Sequence, residues 1–196
     1  EALNDWLKTK NLSRYQKRVL EAKGIFQKLV QKKIPLIQTQ DPLKIVLNTS
    51  AFGIDGYSAD AFFYRHGLIA ELPEMMTLTF CLGFSNHKDF IPLFEKLWKK
   101  LLKSFKGTKD LKALRPPFKL IDYPALPIGI AWRRKTYSIS ISEALGKISG
   151  DIICPYPPGI PLIIPGERID QSRIDWIKTQ SLYNNDLVNS YIRVLL

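Results

Sequence analysis

The residues best suited to chemistry lie in one short segment, from Cys154 to Glu167. Cys154, Tyr156 and Glu167 supply a thiol, a phenol and a carboxylate, and five of the chain's thirteen prolines fall between positions 155 and 165. Proline fixes φ and restricts the residue before it, so this backbone is nearly determined before any packing. Gly159 adds a position where positive φ is allowed. Such a rigid segment either holds a wall of a binding site or subunit interface, or forms a structural loop around a core strand.

Two roles fit Glu167. Its carboxylate can meet a cationic group of a ligand, or it can cap a helix within the protein. Little in the sequence supports metal binding or nucleophilic catalysis. Asp55, Asp60 and Glu71 lack the spacing of metal ligands, no cysteine–histidine set fits zinc, and no serine has the histidine and acid needed for nucleophilic catalysis.

Hydrophobic periodicity predicts the elements that position these residues. A helix is predicted over residues 11–33, and its narrow apolar stripe, which includes Tyr15, Val19 and Phe26, suits a helix lying along another surface. A unit with the order strand, helix, strand, strand, helix follows. Its expected ranges are 43–49, 58–66, 68–72, 76–82 and 89–105. The last helix gives the clearest signal, because eight apolar residues from Phe90 onward keep helical spacing without a miss.

The second half of the chain is less regular. Ser140 and Glu143 match the capping-box pattern and predict a short helix that ends at Gly146. A helix over residues 171–181 and a strand over residues 191–196 follow. We therefore expect an α/β (α+β) protein in which small antiparallel or mixed sheets are covered by helices. The expected parts are a connecting helical segment (1–40), a small α/β domain (41–110), a linker (111–135) and a C-terminal α+β domain (136–196).

The proline-rich segment resembles a known signature. The run Pro-Tyr-Pro-Pro-Gly-Ile-Pro-Leu-Ile-Ile-Pro-Gly-Glu, residues 155–167, is similar to one in the C-terminal part of the bacterial ornithine/lysine/arginine decarboxylases, pyridoxal-phosphate enzymes of fold type I. Residues 142–148, Ser-Glu-Ala-Leu-Gly-Lys-Ile, resemble the helix and turn that precede this loop in the family. Further segments resemble the family's small domain in the same order, namely residues 55–60, 67–71 and 77–80.

The resemblance implies a parent enzyme that releases CO2 from lysine, ornithine or arginine, with pyridoxal phosphate as its cofactor. It also implies a homodimer or larger oligomer. The residues of this chain that would line the substrate site are Cys154, Tyr156, Pro158, Gly159 and Glu167. Gly129 and Ile130 depart from the family, since an arginine and an acid are usual at these positions, and this departure bears on the substrate and activity of the parent.

The family's cofactor-linked lysine follows a Ser-x-His-Lys motif at the end of a large domain. Residues 85–88 spell Ser-Asn-His-Lys, but they follow a predicted small-domain strand, and no glycine-rich phosphate cradle precedes them. We therefore expect no catalytic residue, cofactor or metal in this chain alone. The expected partner is a cofactor-bearing large domain, absent here, and a chain that opens at Glu1 rather than at Met fits a piece of a longer protein.

The charge of the chain raises two alternatives. Twenty-nine Lys and Arg against 18 Asp and Glu give a net charge of +11, which is compatible with a nucleic-acid-binding module. The lysine-rich face of the helix over residues 89–105 and the cluster at residues 132–135 would carry such binding, but lysines opposite an apolar stripe are more often a solvated face, so nucleic acid is not the expected partner. The other alternative is a stand-alone interaction domain related to the decarboxylase C-terminus.

The location of the protein follows from two simple features. No apolar run reaches the roughly 18–20 residues that span a bilayer, so no membrane association is expected. The two cysteines, Cys81 and Cys154, do not form a disulfide framework. We therefore expect a reducing compartment, the cytoplasm.

Overall fold

The computed structural model describes residues 4, 9–83, 90–105, 111, 116–117, 123–156, 159–181 and 191–196. These residues belong to two compact units, residues 1–113 and 114–196. Each unit has its own hydrophobic core and its own antiparallel sheet, so the fold is α+β as predicted. Among the residues just named, no helix is long and apolar enough to cross a membrane.

The described part of the first unit contains three α-helices, a 3₁₀ turn (Thr49–Phe52) and a four-stranded sheet. The helices are α1 (Thr9–Gln31), α2 (Gly56–Arg65) and α3 (Phe90–Ser104), and the strands are β1 (Leu36–Ile37), β2 (Lys44–Asn48), β3 (Leu72–Pro73) and β4 (Thr77–Cys81). All neighbouring strands are antiparallel, in the order β1-β2-β4-β3. From β2 onward, the succession of strand, helix, two strands and helix confirms the prediction. Strand β1 was not predicted, because two residues are too few to show periodicity.

The core of the first unit lies between the sheet and the helices. Strand register places four buried side chains on one face of the sheet, namely Ile45, Leu47, Leu78 and Phe80. The ring centroid of Phe63 in α2 lies 5.4 Å from that of Phe80 and 5.5 Å from that of Phe94 in α3. Helix α1 completes this core with Ala22 and Leu29, both fully buried. The periodic apolar residues of α3 therefore pack into the core of the first unit.

The strand predicted over residues 68–72 is misplaced. Leu72 and Pro73 form β3 instead, with Pro73 opposite Leu78 of β4. Proline was expected to stop the strand. Because β3 is an edge strand, however, the missing N–H of proline does not break a hydrogen bond between strands. The Leu68 N–H instead donates to a carbonyl oxygen near the end of α2, so the residues after the helix first close that helix.

Asp55 caps the N-terminus of α2. Its Oδ1 accepts a hydrogen bond from the Ser58 N–H and its Oδ2 accepts one from the Ser58 hydroxyl, both at 2.8 Å. We expect Asp55→Ala to lower the free energy of unfolding by about 1 kcal/mol, because a helix N–H loses its acceptor. Urea denaturation followed by circular dichroism measures this change. Asp55→Asn keeps an acceptor and should cost less; equal losses in the two variants would contradict the capping role.

The described part of the second unit contains two helices, two strands and a 3₁₀ turn. They are α4 (Ile128–Ala131), β5 (Thr136–Ser140), the turn Ile141–Glu143, α5 (Gln171–Ser181) and β6 (Tyr191–Leu195). Strands β5 and β6 pair in antiparallel fashion, with Thr136 opposite Leu195. The helix predicted over residues 171–181 is confirmed. The core is largely aliphatic and includes Ile153, Leu162, Ile163, Ile169, Ile174, Ile177, Ile192 and Val194.

The short helix predicted from the capping-box pattern is confirmed in its start, with Ser140 as its N-cap, but it is a 3₁₀ turn and ends before Gly146. Ser140 is the last residue of β5, and residues 141–143 form a 3₁₀ turn rather than an α-helix. The Ser140 hydroxyl oxygen accepts from the Ser142 N–H at 3.4 Å. Serine side chains make such local contacts in turns as well as at helix starts, so the pattern alone does not separate the two. Strand β5 was not predicted, because its partner lies far along the chain.

Candidate functional site

Within the proline-rich segment, residues 153–156 and 159–163 form the two arms of a hairpin, called here the proline hairpin. The Ile153 N–H donates to the Ile163 carbonyl oxygen at 2.9 Å, and the Leu162 N–H donates to the Ile153 carbonyl oxygen at 2.8 Å. All three side chains belong to the core of the second unit. The base of the hairpin is therefore anchored in the core.

The tip of the proline hairpin carries four of the five predicted site residues, and three of these lie within the described part. Cys154, Tyr156 and Gly159 are exposed, Tyr156 to 70%, whereas Pro158 lies outside the described residues. Gly159 has φ of +82°, and its N–H donates to the Pro155 carbonyl oxygen at 2.9 Å. A side chain on Gly159 would meet the ring of Tyr156 at 3.2 Å. Pro155 and Gly159 therefore lie close together, and the Tyr156 ring beside them is exposed.

The fifth predicted site residue, Glu167, lies at the other end of the segment and points inward. Its Oε2 accepts a hydrogen bond from the Ile164 N–H at 2.9 Å and lies 3.0 Å from Nη1 of Arg173. The side chain of Glu167 is 15% exposed and that of Arg173 is 4% exposed. The protein's own donors therefore engage this carboxylate, which links the segment after the proline hairpin to helix α5.

Sequence reasoning missed Arg173, the cation that meets Glu167, and Asp170, the second carboxylate that meets Arg173. Asp170 accepts from the Arg173 N–H at 2.9 Å through Oδ1, and its Oδ2 lies 3.3 Å from Nε of Arg173. An aspartate just before a helix is a recognisable cap, so Asp170 carried a usable signal. Arg173 did not, because an arginine in the first turn of a helix is normally exposed.

Gly166 brings the residues before α4 against the end of the proline-rich segment. Its φ is +94°, its N–H donates to the Ser149 carbonyl oxygen at 2.8 Å, and its carbonyl oxygen accepts from the Leu126 N–H at 3.2 Å. A Cβ at this position would overlap the carbonyl oxygen of Leu126. Gly129 and Ile130, where the family usually has an arginine and an acid, lie in α4 and are exposed.

Asp151 and Arg193 form an exposed ion pair that joins the residues before the proline hairpin to β6. Oδ2 of Asp151 lies 2.9 Å from Nε of Arg193, and this hydrogen bond holds the pKa of Asp151 below its usual value of 3.8. A lowered carboxyl pKa stabilises the folded state at pH values above that usual value, and the stabilisation is lost as the pH falls below it.

We expect Asp151→Asn to lower the free energy of unfolding by less than about 1 kcal/mol at neutral pH, because the pair is exposed to water. The difference from the unmodified protein should shrink toward zero as the pH is lowered below about 3.8. Urea denaturation at neutral pH and at low pH measures both values. An equally large difference at both pH values would contradict an electrostatic origin.

The remaining candidates lie in the first unit and do not form a second site. Asp55 caps α2, and burial raises the pKa of the Asp60 carboxyl and of the Cys81 thiol. No group of three metal-ligating side chains occurs in the part of the chain that the structure describes. The Ser-Asn-His-Lys run, residues 85–88, lies outside that part.

The lysine-rich face of α3 is partly engaged by other side chains of its own unit. Lys99 and Lys32 both pair with the Glu95 carboxylate. Nζ of Lys100 lies 2.8 Å from Nε2 of His66, whose Nδ1 faces the Phe62 carbonyl oxygen. These contacts are typical of a solvated helix face.

Comparison with known proteins finds similar sequences among amino-acid decarboxylases. Residues 123–187 match the family model of the Orn/Lys/Arg decarboxylase C-terminal domain. Over 141 residues the chain is 27% identical to an arginine decarboxylase of Bacillus anthracis, a match that covers 70% of this chain and 28% of the relative. A stretch of 36 residues, 18% of this chain and 5% of the relative, is 44% identical to the inducible lysine decarboxylase of Escherichia coli (strain K12).

A solved structure extends the similarity in fold. The crystal structure of the lysine decarboxylase of Francisella novicida matches with a TM-score of 0.70 at 15% identity, covering 94% of this chain and 40% of that one. The chain thus spans less than a third of the curated arginine decarboxylase and well under half of the solved enzyme. The chain is therefore similar to the arginine decarboxylase over most of its own length, and residues 123–187 are similar to the C-terminal domain of the Orn/Lys/Arg decarboxylases.

Proposed function

We propose that the chain serves as part of a pyridoxal-phosphate-dependent decarboxylase of lysine, ornithine or arginine, in which it supplies a wall of the substrate site and part of a subunit interface. The observation that carries this proposal is the proline hairpin within the matched region. Its base is fixed in the core by Ile153 and Ile163, and its tip exposes Tyr156 and Ile160. A rigid, exposed, apolar tip suits contact with a neighbouring domain or its substrate.

Within this proposal the tip makes the contacts and Glu167 holds the segment in place. A basic amino acid has an aliphatic stem and a distal cation, and an exposed tyrosine ring can pack on the first and attract the second. Tyr156 is therefore the strongest candidate for substrate contact, with Cys154 and Gly159 beside it in sequence. Glu167 acts through Ile164 and Arg173, so we assign it a positioning role.

The described residues do not fit pyridoxal phosphate. The cofactor links to a lysine whose pKa is lowered by burial or nearby charge, and it needs a cradle for its phosphate. Every lysine side chain that the structure describes is exposed. We therefore propose that a separate large domain binds the cofactor, whose chemistry when bound is to withdraw electrons from the substrate. The chain alone is then inactive.

A chimera tests this proposal. The matched C-terminal segment of the Bacillus anthracis arginine decarboxylase is replaced by this chain, and CO2 release is measured with arginine, lysine and ornithine. We expect activity on at least one of them, and a raised KM in the Tyr156→Ala version. Tyr191→Ala is the matched control, because Tyr191 is similarly exposed but lies outside the hairpin. A chimera that shows the absorbance of lysine-linked cofactor yet decarboxylates none of the three would contradict the proposal.

We further propose that the complete enzyme is a homodimer or larger oligomer in the cytoplasm. Cys81 and Cys154 are both free thiols, which supports a reducing compartment. The pairing of the α3 lysines with Glu95 and His66 favours a solvated face over a nucleic-acid-binding surface.

A further inference from the structure

Helix α1 carries two apolar stripes; the first belongs to the core, and Phe26 of the second packs against that core as well. The first stripe is buried against the sheet and α3 and consists of Ala22, Ile25 and Leu29. The second stripe follows an adjacent flank of the helix at spacings of three, four and seven residues, and consists of Leu12, Tyr15, Val19, Phe26 and Val30. Leu12, Tyr15 and Val30 are exposed, and the other two are half-buried.

Two residues of the second stripe line an open groove of about 1010 Å³. Val19 and Phe26 lie on the α1 side, and residues 38–42 lie on the other. Three of the seven polar side chains that line the groove are amides, those of Gln27, Gln38 and Gln40. Because this volume lies at the upper limit of ordinary small-molecule pockets, about 300–1,000 Å³, and the polar side chains are exposed, the groove suits a polypeptide segment.

The charge of the groove indicates the sign of its partner. Lys23 interrupts the second stripe between Val19 and Phe26, and Lys44 lies on the opposite side of the groove. Asp41, an acidic residue of the lining, already accepts a hydrogen bond from the Leu43 N–H at 2.9 Å. Helix α1 has six basic residues against one acidic residue, so a second copy of it would be repelled, whereas carboxylates would be attracted.

We propose that this groove binds an acidic, amphipathic segment of a separate protein. The apolar side chains of that segment pack on Val19 and Phe26, and its carboxylates lie beside Lys23 and Lys44. The proposal uses only residues of the first unit, so its test does not involve the proline hairpin on which the proposed decarboxylase role rests.

Labelled peptides test the proposal with the full chain. The probe is a fluorescein-labelled peptide with leucines at heptad spacing and glutamates elsewhere, and its binding is measured by fluorescence anisotropy at about 150 mM salt. One control peptide has serine in place of leucine, and the other has lysine in place of glutamate. We expect saturable binding of the probe and at least about tenfold weaker binding of both controls.

Two lysine variants of the chain make the test specific to the groove. Lys23→Glu should weaken binding of the acidic probe about tenfold. Lys28→Glu changes the net charge equally but lies outside the lining, so it should leave binding nearly unchanged. Equal binding of the serine peptide, equal loss in the two variants, or self-association of the chain through α1 in sedimentation experiments would overturn the proposal.

Discussion

Replacing Gly166 by alanine is expected to lower the free energy of unfolding of the second unit by at least about 3 kcal/mol. Two effects add. The residue has φ of +94°, a backbone conformation that strains any residue with a Cβ. The new Cβ would also overlap the carbonyl oxygen of Leu126, which a rotamer change cannot move. Hydrogen–deuterium exchange of peptides from the second unit, together with urea denaturation, measures the loss.

Gly146→Ala separates these two effects. Gly146 also has a positive φ, +76°, but an added Cβ there has open space around it. Only the backbone strain remains, so we expect a loss of about 1–2 kcal/mol. If the two substitutions cost the same, the close approach between Gly166 and Leu126 would have no part in holding the residues before α4 against the proline-rich segment.

Replacing Arg173 by methionine is expected to cost about 3–5 kcal/mol. The guanidinium is almost completely buried and joins Glu167 and Asp170, so its loss leaves the largely buried Glu167 carboxylate without its cation. The Ile164 N–H depends on that same carboxylate, so exchange of backbone amides near the base of the proline hairpin should accelerate. Urea denaturation gives the energetic cost, and hydrogen exchange locates it.

Arg193→Met provides the matched control. Arg193 forms a pair of similar length with Asp151, but its side chain is 56% exposed, so water screens the interaction and the expected cost is below about 1 kcal/mol. In addition, Glu167→Gln combined with Arg173→Met should recover part of the loss, because the unpaired carboxylate is gone. A cost for Arg173→Met no larger than for Arg193→Met would show that the buried network does not hold the segment.

The sequence predicted the backbone of the proline-rich segment better than the orientation of its side chains, and the site itself stays a prediction. Proline density marks a rigid segment because proline restricts the backbone wherever it occurs, and the structure has a hairpin there. The inward orientation of Glu167 depends on Arg173, six residues later, and on the burial of both. Burial is a property of the packed chain, and no local pattern marks an arginine for it.

The same distinction between local pattern and packing explains which helices and strands could be predicted. Helix α3 could be predicted because all the residues of its buried face lie in one continuous stretch of sequence. Strand β5 could not, because its polar, alternating residues become a strand only when β6 pairs with them. The prediction that Pro73 ends a strand was wrong for a related reason. A strand tolerates proline at the edge of a sheet, and the position of β3 in the sheet is not visible in the sequence.

The pairing of β5 with β6 has a consequence for the order of folding. Because Thr136 faces Leu195, the sheet of the second unit closes a loop of about 60 residues, and the entropy of that closure is lost before the contacts form. A high contact order of this kind slows folding. On the ribosome, β2 and β4 of the first unit can pair early, whereas β5 has to wait for residues 191–195 to be synthesised. Synthesis that stops before Tyr191 would leave β5 as an unpaired edge strand, open to association with other chains.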